Sequence, residues 1–231
     1  MAPRIDGEVH WFAEQALYDG LFLMKDAESE TYWDHMTGEA VYGPLVGTTL
    51  EIAPLVMSTV DQALRQHPDA RVALSDRTLW SDEDLKSEGL FARIRGGLNQ
   101  MFQSTVEEDD TRRPQMDLGL GLWTDDGARY YPMDVIRSEG RALVDTFGGR
   151  TVLVYIDPQN FVPAAILVEG DAPEWDDDVL RLSDGTYIED GLAYEASGER
   201  SDALRPLQVF TRWYGFSNTF PETEIYGAGN D

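Results

Sequence analysis

"LGLGLWTDDGARYYP", Leu118 to Pro132, is the stretch on which the fold turns. In an extended chain Leu118, Leu120 and Leu122 point one way, and Gly119, Gly121 and Trp123 the other. Asp126-Gly127 is among the strongest short hairpin signals, and a turn there sets Trp123 opposite Tyr130 and Thr124 opposite Arg129. One face of the hairpin is then a leucine core face. The other has two glycines beside two aromatics, so either a neighbouring element or a ligand can approach the backbone closely. If Arg129 is covered it needs an acidic partner, and Asp145 in "LVDTF" is the candidate.

Working outward, "ALVDTFGG" (Ala142–Gly149), "RTVLVYIDP" (Arg150–Pro158) and "FVPAAILVE" (Phe161–Glu169) read as three more strands. Upstream, "LFLMKDAESETYWDHMTGEAVYGPLVGTTLEIAPL" (Leu21–Leu55) alternates apolar and polar positions. It breaks at Glu28-Ser29, Thr37-Gly38 and Gly43-Pro44. A two-residue turn at Thr37-Gly38 pairs His35 with Ala40 and Trp33 with Tyr42. A helix follows: Thr59 is a good N-cap with Gln62 three residues on, and Val60, Ala63, Leu64 and His67 lie along one side. Pro68-Asp69 stops it, and "ARVAL" (Ala70–Leu74) reads as a strand. Next come an amphipathic helix, with Ser81 and Asp84 at its start and Leu90, Ile94, Leu98 and Met101 on one face, and the acidic loop "VEEDDTRRP".

The closing stretch repeats the earlier plan. Pro206-Leu207 matches Pro54-Leu55, Thr211 matches Thr59, and Pro221-Glu222 matches Pro68-Asp69. Val209, Trp213, Phe216 and Phe220 recur at helical spacing and read as core, which leaves Arg212 and Tyr214 off the stripe. The expected fold is α+β and mainly β. It has two related β-rich halves, each with strands, one short helix and an edge strand, packed together. The halves span 1–75 and 117–231, with 76–116 as a helical and acidic-loop connector.

Forty-three acidic residues against 18 basic ones give a formal net charge of −25, and only Lys25 and Lys86 of the basic residues are lysines. Charge of this size points to a salt-adapted protein of a high-salt cytoplasm, with a merely acidic mesophile protein as the plain alternative, and it argues against nucleic acid, whose phosphates need a basic face. With no cysteine, disulfides, thiolate metal sites and thiol nucleophiles are excluded. No apolar run reaches membrane-spanning length or resembles a signal peptide, so neither a membrane nor export is expected. The phosphate loop, the dinucleotide fingerprint, the nucleophile elbow and the calcium loop are all missing; "GLGLWT" has Thr124 where the third glycine belongs.

Four landmarks, "LYDGLFLMKDAESETYWDHMTGEAVYGPLVGTTLE", "RRPQMDLGLGLW", "ARYYPMDVI" and "RPLQVFTRWYGFSNTFPETEIYG", together resemble a family known as domain of unknown function 3179, from about His10 to Tyr226. The chain is similar to its short branch. Longer relatives carry a "TYCPLCGSG"-like strand where this chain has "LVYIDPQNF", so cysteine chemistry does not carry over. The resemblance implies a fold and no activity.

Two constellations remain as a candidate site. His35, flanked by Trp33 and Tyr42, is suited to acid–base work or stacking, and a half-buried structural histidine is the plain alternative. Arg129 with Asp145, Trp123 and Tyr130 is the second, with Arg212 as a further cation. We therefore expect His35, Arg129 and Asp145 as catalytic candidates, and Trp33, Tyr42, Trp123, Tyr130 and Arg212 as ligand contacts, in a cleft between the halves. The expected partner is a small polar or anionic molecule; the rival reading is a non-catalytic interaction or scaffold module. No metal set is assigned, because His67 reads as a helix-end residue, and cofactor and oligomeric state stay open.

Overall fold

A computed structural model describes residues 3–74, 104–106, 110–201 and 204–228. The helix expected after Ser81 lies outside the described residues. The protein is mainly β, with three short helices among the described residues. No helix among them is long and apolar enough to cross a membrane. Contacts divide the chain into two units, residues 1–52 with 71–109, and residues 53–70 with 110–231.

In the first unit, β1 (Arg4–Ile5) pairs with β2 (Glu8–Val9), and a four-stranded antiparallel sheet runs in chain order. Its strands are β3 (Phe12–Tyr18), β4 (Leu21–Asp26), β5 (Tyr32–Asp34) and β6 (Ala40–Tyr42). The β5–β6 loop is longer than Thr37-Gly38 alone: Asp34 Oδ1 accepts from the amides of Met36 (2.6 Å) and Thr37 (3.1 Å), and the amide of Asp34 bonds the Glu39 carbonyl (2.9 Å). Gly38 has φ +74°, and a Cβ there would lie 2.9 Å from the Leu50 carbonyl oxygen, so both conformation and space require glycine. Trp33 consequently pairs with Ala40, and Tyr32 with Tyr42 across a register shift. The expected Trp33–Tyr42 pair is not formed.

The second unit is a stack of sheets. Strands β7 (Leu118–Thr124), β8 (Gly127–Pro132), β16 (Leu207–Arg212) and β17 (Glu224–Ile225) form one sheet in the order β16-β7-β8-β17, with β17 parallel to β8. Strands β9 (Ala142–Phe147), β10 (Arg150–Ile156) and β11 (Pro163–Leu167) form the middle one, in the order β11-β10-β9. A meander follows, of β12 (Glu174–Asp176), β13 (Val179–Arg181), β14 (Tyr187–Glu189) and β15 (Leu192–Tyr194). Strand β10 explains the uninterrupted apolar run at Thr151–Ile156. Val152, Val154 and Ile156 join one core cluster with Leu120, Leu122 and Tyr131, while Leu153 and Tyr155 join another with Leu180 and Ile188. A strand buried on both faces has no polar alternation to show.

The β7–β8 turn sits one residue earlier than expected, on Asp125-Asp126, with Thr124 opposite Gly127 and Gly121 opposite Tyr130. A one-residue shift of the turn moves the pairing by two residues, so every side chain keeps its face. Helix α2 (Met133–Ser138) buries Met133 and Ile136 on the leucine side. Helix α3 (Trp213–Thr219) covers the glycine side: Trp213 and Phe216 are fully buried, and a Cβ on Gly121 would lie 2.1 Å from the Phe216 ring.

Helix α1 (Val60–Gln66) has the expected capping box, with Thr59 Oγ1 accepting from the Gln62 amide (3.1 Å) and Gln62 Oε1 accepting from the Thr59 amide (2.9 Å). His67 is its C-cap. The helix joins the second unit, yet not through the expected apolar stripe: Val60 is 62% exposed, whereas Gln62 is 4% exposed and donates to Asp157 Oδ2 (2.9 Å). "ARVAL" is not a strand, and Val72 and Leu74 are exposed without a ladder partner. Residues 51–59 are not in a strand either, so the two stretches matched in sequence share a short helix while only the later one has flanking strands, β16 and β17.

Candidate functional site

His35 lies in the β5–β6 loop, exposed, with Nδ1 donating to the Phe22 carbonyl (2.9 Å). Its two expected neighbours part company. Trp33 is fully buried against Ile5, Phe12 and Ala40, whereas Tyr42 is 71% exposed beside Tyr32. The register shift in β5–β6 puts them on different faces, so this hairpin does not present a histidine between two aromatics.

In the other hairpin the expected Arg129–Asp145 pair is formed (2.6 Å), and Glu224 on β17 closes it from the other side (2.5 Å). The guanidinium also donates to the Thr146 carbonyl (3.0 Å) and lies over the Phe147 ring. Burial lowers the pKa of Arg129, but the bonds to Glu224 and Asp145 outweigh it and the net shift is upward. Its charge is thus spent within the fold. Trp123 and Tyr130 are core residues rather than ligand walls: Tyr130 meets the Trp213 ring edge-on at 5.1 Å, and Trp123 lies 5.5 Å from Phe220. The glycine face is closed by α3. Arg212, the residue before α3, is exposed.

A polar cluster in the first unit centres on Asp26, which is fully buried. Its Oδ1 accepts from the Ser29 amide (2.6 Å) and His10 Nδ1 (3.0 Å), and its Oδ2 from the Ser29 hydroxyl (2.6 Å) and Trp33 Nε1 (2.8 Å). Burial pushes this carboxyl up, but the bonds from Ser29, Trp33 and His10 prevail and hold it well below the usual carboxylate range. Glu28 completes a group whose ligand atoms all lie within 4.8 Å of one another. Metal binding would compete with these donors, because both Asp26 oxygens are already engaged twice and Glu28 Oε2 accepts from the Trp11 amide (2.8 Å). The arrangement suits a structural clasp between β4 and β5.

The second unit has a groove of about 540 Å³ beside the middle sheet and the meander. Its apolar lining includes Ile166, Leu182 and Ile188. One wall carries Tyr187 and Tyr194, cross-strand partners whose rings stack at 4.9 Å and 11°. Arg181, paired with Tyr187 on its other side, lies over the Tyr187 ring at 5.3 Å. Glu169, Asp184, Glu195 and Arg150 supply the charged lining. Asp184 accepts from the Thr186 hydroxyl (2.6 Å) and amide (2.9 Å); those bonds hold its carboxyl below the usual range despite the opposing effect of burial.

A family model described as a protein of unknown function (DUF3179) matches residues 2–223, nearly the whole chain. The chain belongs to the DUF3179 family. Comparisons with curated proteins and with solved structures each return no match. None of the tyrosines lining the groove of this DUF3179 protein is among the residues singled out from its sequence. A signal was there: Asp184-Gly185 and Asp190-Gly191 are turn dipeptides six residues apart, bracketing "TYIE" and followed by "LAYE". The strands of this DUF3179 meander are three residues each, too short for their alternation to stand out from the acidic stretch around them.

Proposed function

We propose that this DUF3179 protein is a salt-adapted, soluble, cytoplasmic protein that binds a small polar molecule in the groove of its second unit. The observation that carries the reading is the groove itself: its volume falls in the range small-ligand sites use, and it combines an apolar floor, an aromatic wall and a few charged groups. The formal charge of −25 supports salt adaptation, and the absence of cysteine is compatible with a reducing compartment. The test is a thermal-shift and NMR screen of neutral, anionic and cationic metabolites in molar KCl, on the wild type and Tyr194→Ala. Hits are expected to stabilise the wild type by mass action and to lose that effect in the variant. Hits that survive Tyr194→Ala unchanged would remove the groove as the site.

A second reading, a non-catalytic interaction module, is favoured by one observation. Leu55, Met57 and Val60, at and before α1, are all more than half exposed. Retention of all ligand-independent properties with a concentration-dependent change of mass in light scattering would support it.

A further inference from the structure

We infer that the groove's ligand is an organic cation, an ammonium or quaternary ammonium group seated against Tyr194. The inference rests on the groove reading above and adds the chemical class.

Three observations carry it. First, the groove's charged lining is three carboxylates, Glu169, Asp184 and Glu195, against one guanidinium, Arg150. An anionic ligand would meet net repulsion there, which argues against the anionic part of the sequence-based expectation of a small polar or anionic molecule. Second, the meander already uses its aromatic faces for cations. Arg181 lies over Tyr187, and Arg141 lies over Trp175 at 4.6 Å. The ladder runs Arg181, Tyr187, Tyr194 in register, and the next backbone partner is Arg200, bridged to Tyr194. Arg200 does not complete the series; its guanidinium turns to the Gln66 carbonyl (3.2 Å). Among the described residues no cation lies over the Tyr194 ring, and Tyr194 lines the groove. One face of the Tyr194 ring is stacked on Tyr187, and its electron-rich other face, in a groove also lined by carboxylates, attracts a soft, weakly hydrated cation. Third, the groove's acids do not converge as a metal site requires. Among the described residues only His10, Asp26 and Glu28, in the first unit, bring three ligand atoms within 4.8 Å of one another. Spread carboxylates around an aromatic wall fit a charge distributed over several carbons better than a compact divalent ion.

The experiment compares choline with its neutral carbon isostere, 3,3-dimethylbutan-1-ol, by titration calorimetry and NMR on the full chain at constant ionic strength. Choline is expected to bind saturably, at least about tenfold more tightly than the isostere. Tyr194→Ala should weaken choline by a similar factor, and Glu195→Gln should weaken it while leaving the isostere unchanged. Glu195→Gln keeps the test decisive if Tyr194→Ala does not fold. Equal, Tyr194-dependent binding of the two compounds overturns the cation class and leaves the groove reading standing. If choline binds but neither substitution affects it, the seat is elsewhere and the inference fails. If neither compound binds and no metabolite gives a Tyr194-dependent shift, both readings fall together.

Discussion

Asp26 shows how much of the first unit hangs on one side chain. A fully buried carboxylate is costly unless its oxygens are well supplied with donors, and here Ser29, His10 and Trp33 supply four. Asp26→Asn keeps the shape but turns an amide N–H₂ toward groups that donate, so it should cost on the order of 3 kcal/mol at pH 7 in urea unfolding. The sign of the pH effect follows from the lowered carboxyl. The folded-state value lies below the unfolded value of about 3.9. The stabilisation is therefore complete above pH about 4 and is lost as pH falls from there through the folded value. Wild type should lose stability steeply on acidification while Asp26→Asn changes less, and parallel acid titrations followed by tryptophan fluorescence check it. Parallel curves would remove Asp26 from this role.

At helix α3 sequence and structure agree on Trp213 and Phe216, while Val209, read into the same helical stripe, lies in strand β16. Trp213 and Phe216, picked out by their spacing, are fully buried on the glycine face of β7, and Tyr214 is only partly covered. Trp213→Ala should cost about 3–5 kcal/mol, since the lost transfer energy and the cavity add, and Tyr214→Ala much less. Equal, small losses in chemical denaturation would mean that the helix does not anchor the sheet. Elsewhere legibility depended on what each signal can encode. Alternation in "LGLGLW" assigned both faces of the β7–β8 hairpin although the turn is one residue off, because the resulting two-residue slip preserves parity. The β5–β6 hairpin had no such protection: its register shift separates Trp33 from Tyr42, and with them the first half of the expected site. In α1 the apolar spacing was present and pointed to the wrong face, because Gln62 docks through hydrogen bonds that a hydrophobic pattern cannot register. The partnership of His10 with Asp26, sixteen residues away, left no spacing signal at all.

At the scale of the molecule the excess of 25 negative charges sets the response to salt. Repulsion reaches across a Debye length of about 10 Å at 0.1 M and about 3 Å at 1 M, so screening should favour the compact state. The melting temperature should rise across that range of KCl, by roughly 2–4 °C for each kcal/mol gained. A flat calorimetric profile would remove the salt-adapted reading. The path of the chain has its own consequence for synthesis. Residues 53–70 belong with the second unit, but the chain on either side of them belongs with the first. The Gln62–Asp157 bond spans 95 residues, and Arg65 pairs with Asp190, 125 residues on. On a ribosome adding about 5–20 residues per second, Gln62 is made roughly 5–20 s before Asp157. During that interval Gln62 has no Asp157 to bond and Arg65 no Asp190, so α1 waits undocked on the nascent chain until the second unit is made.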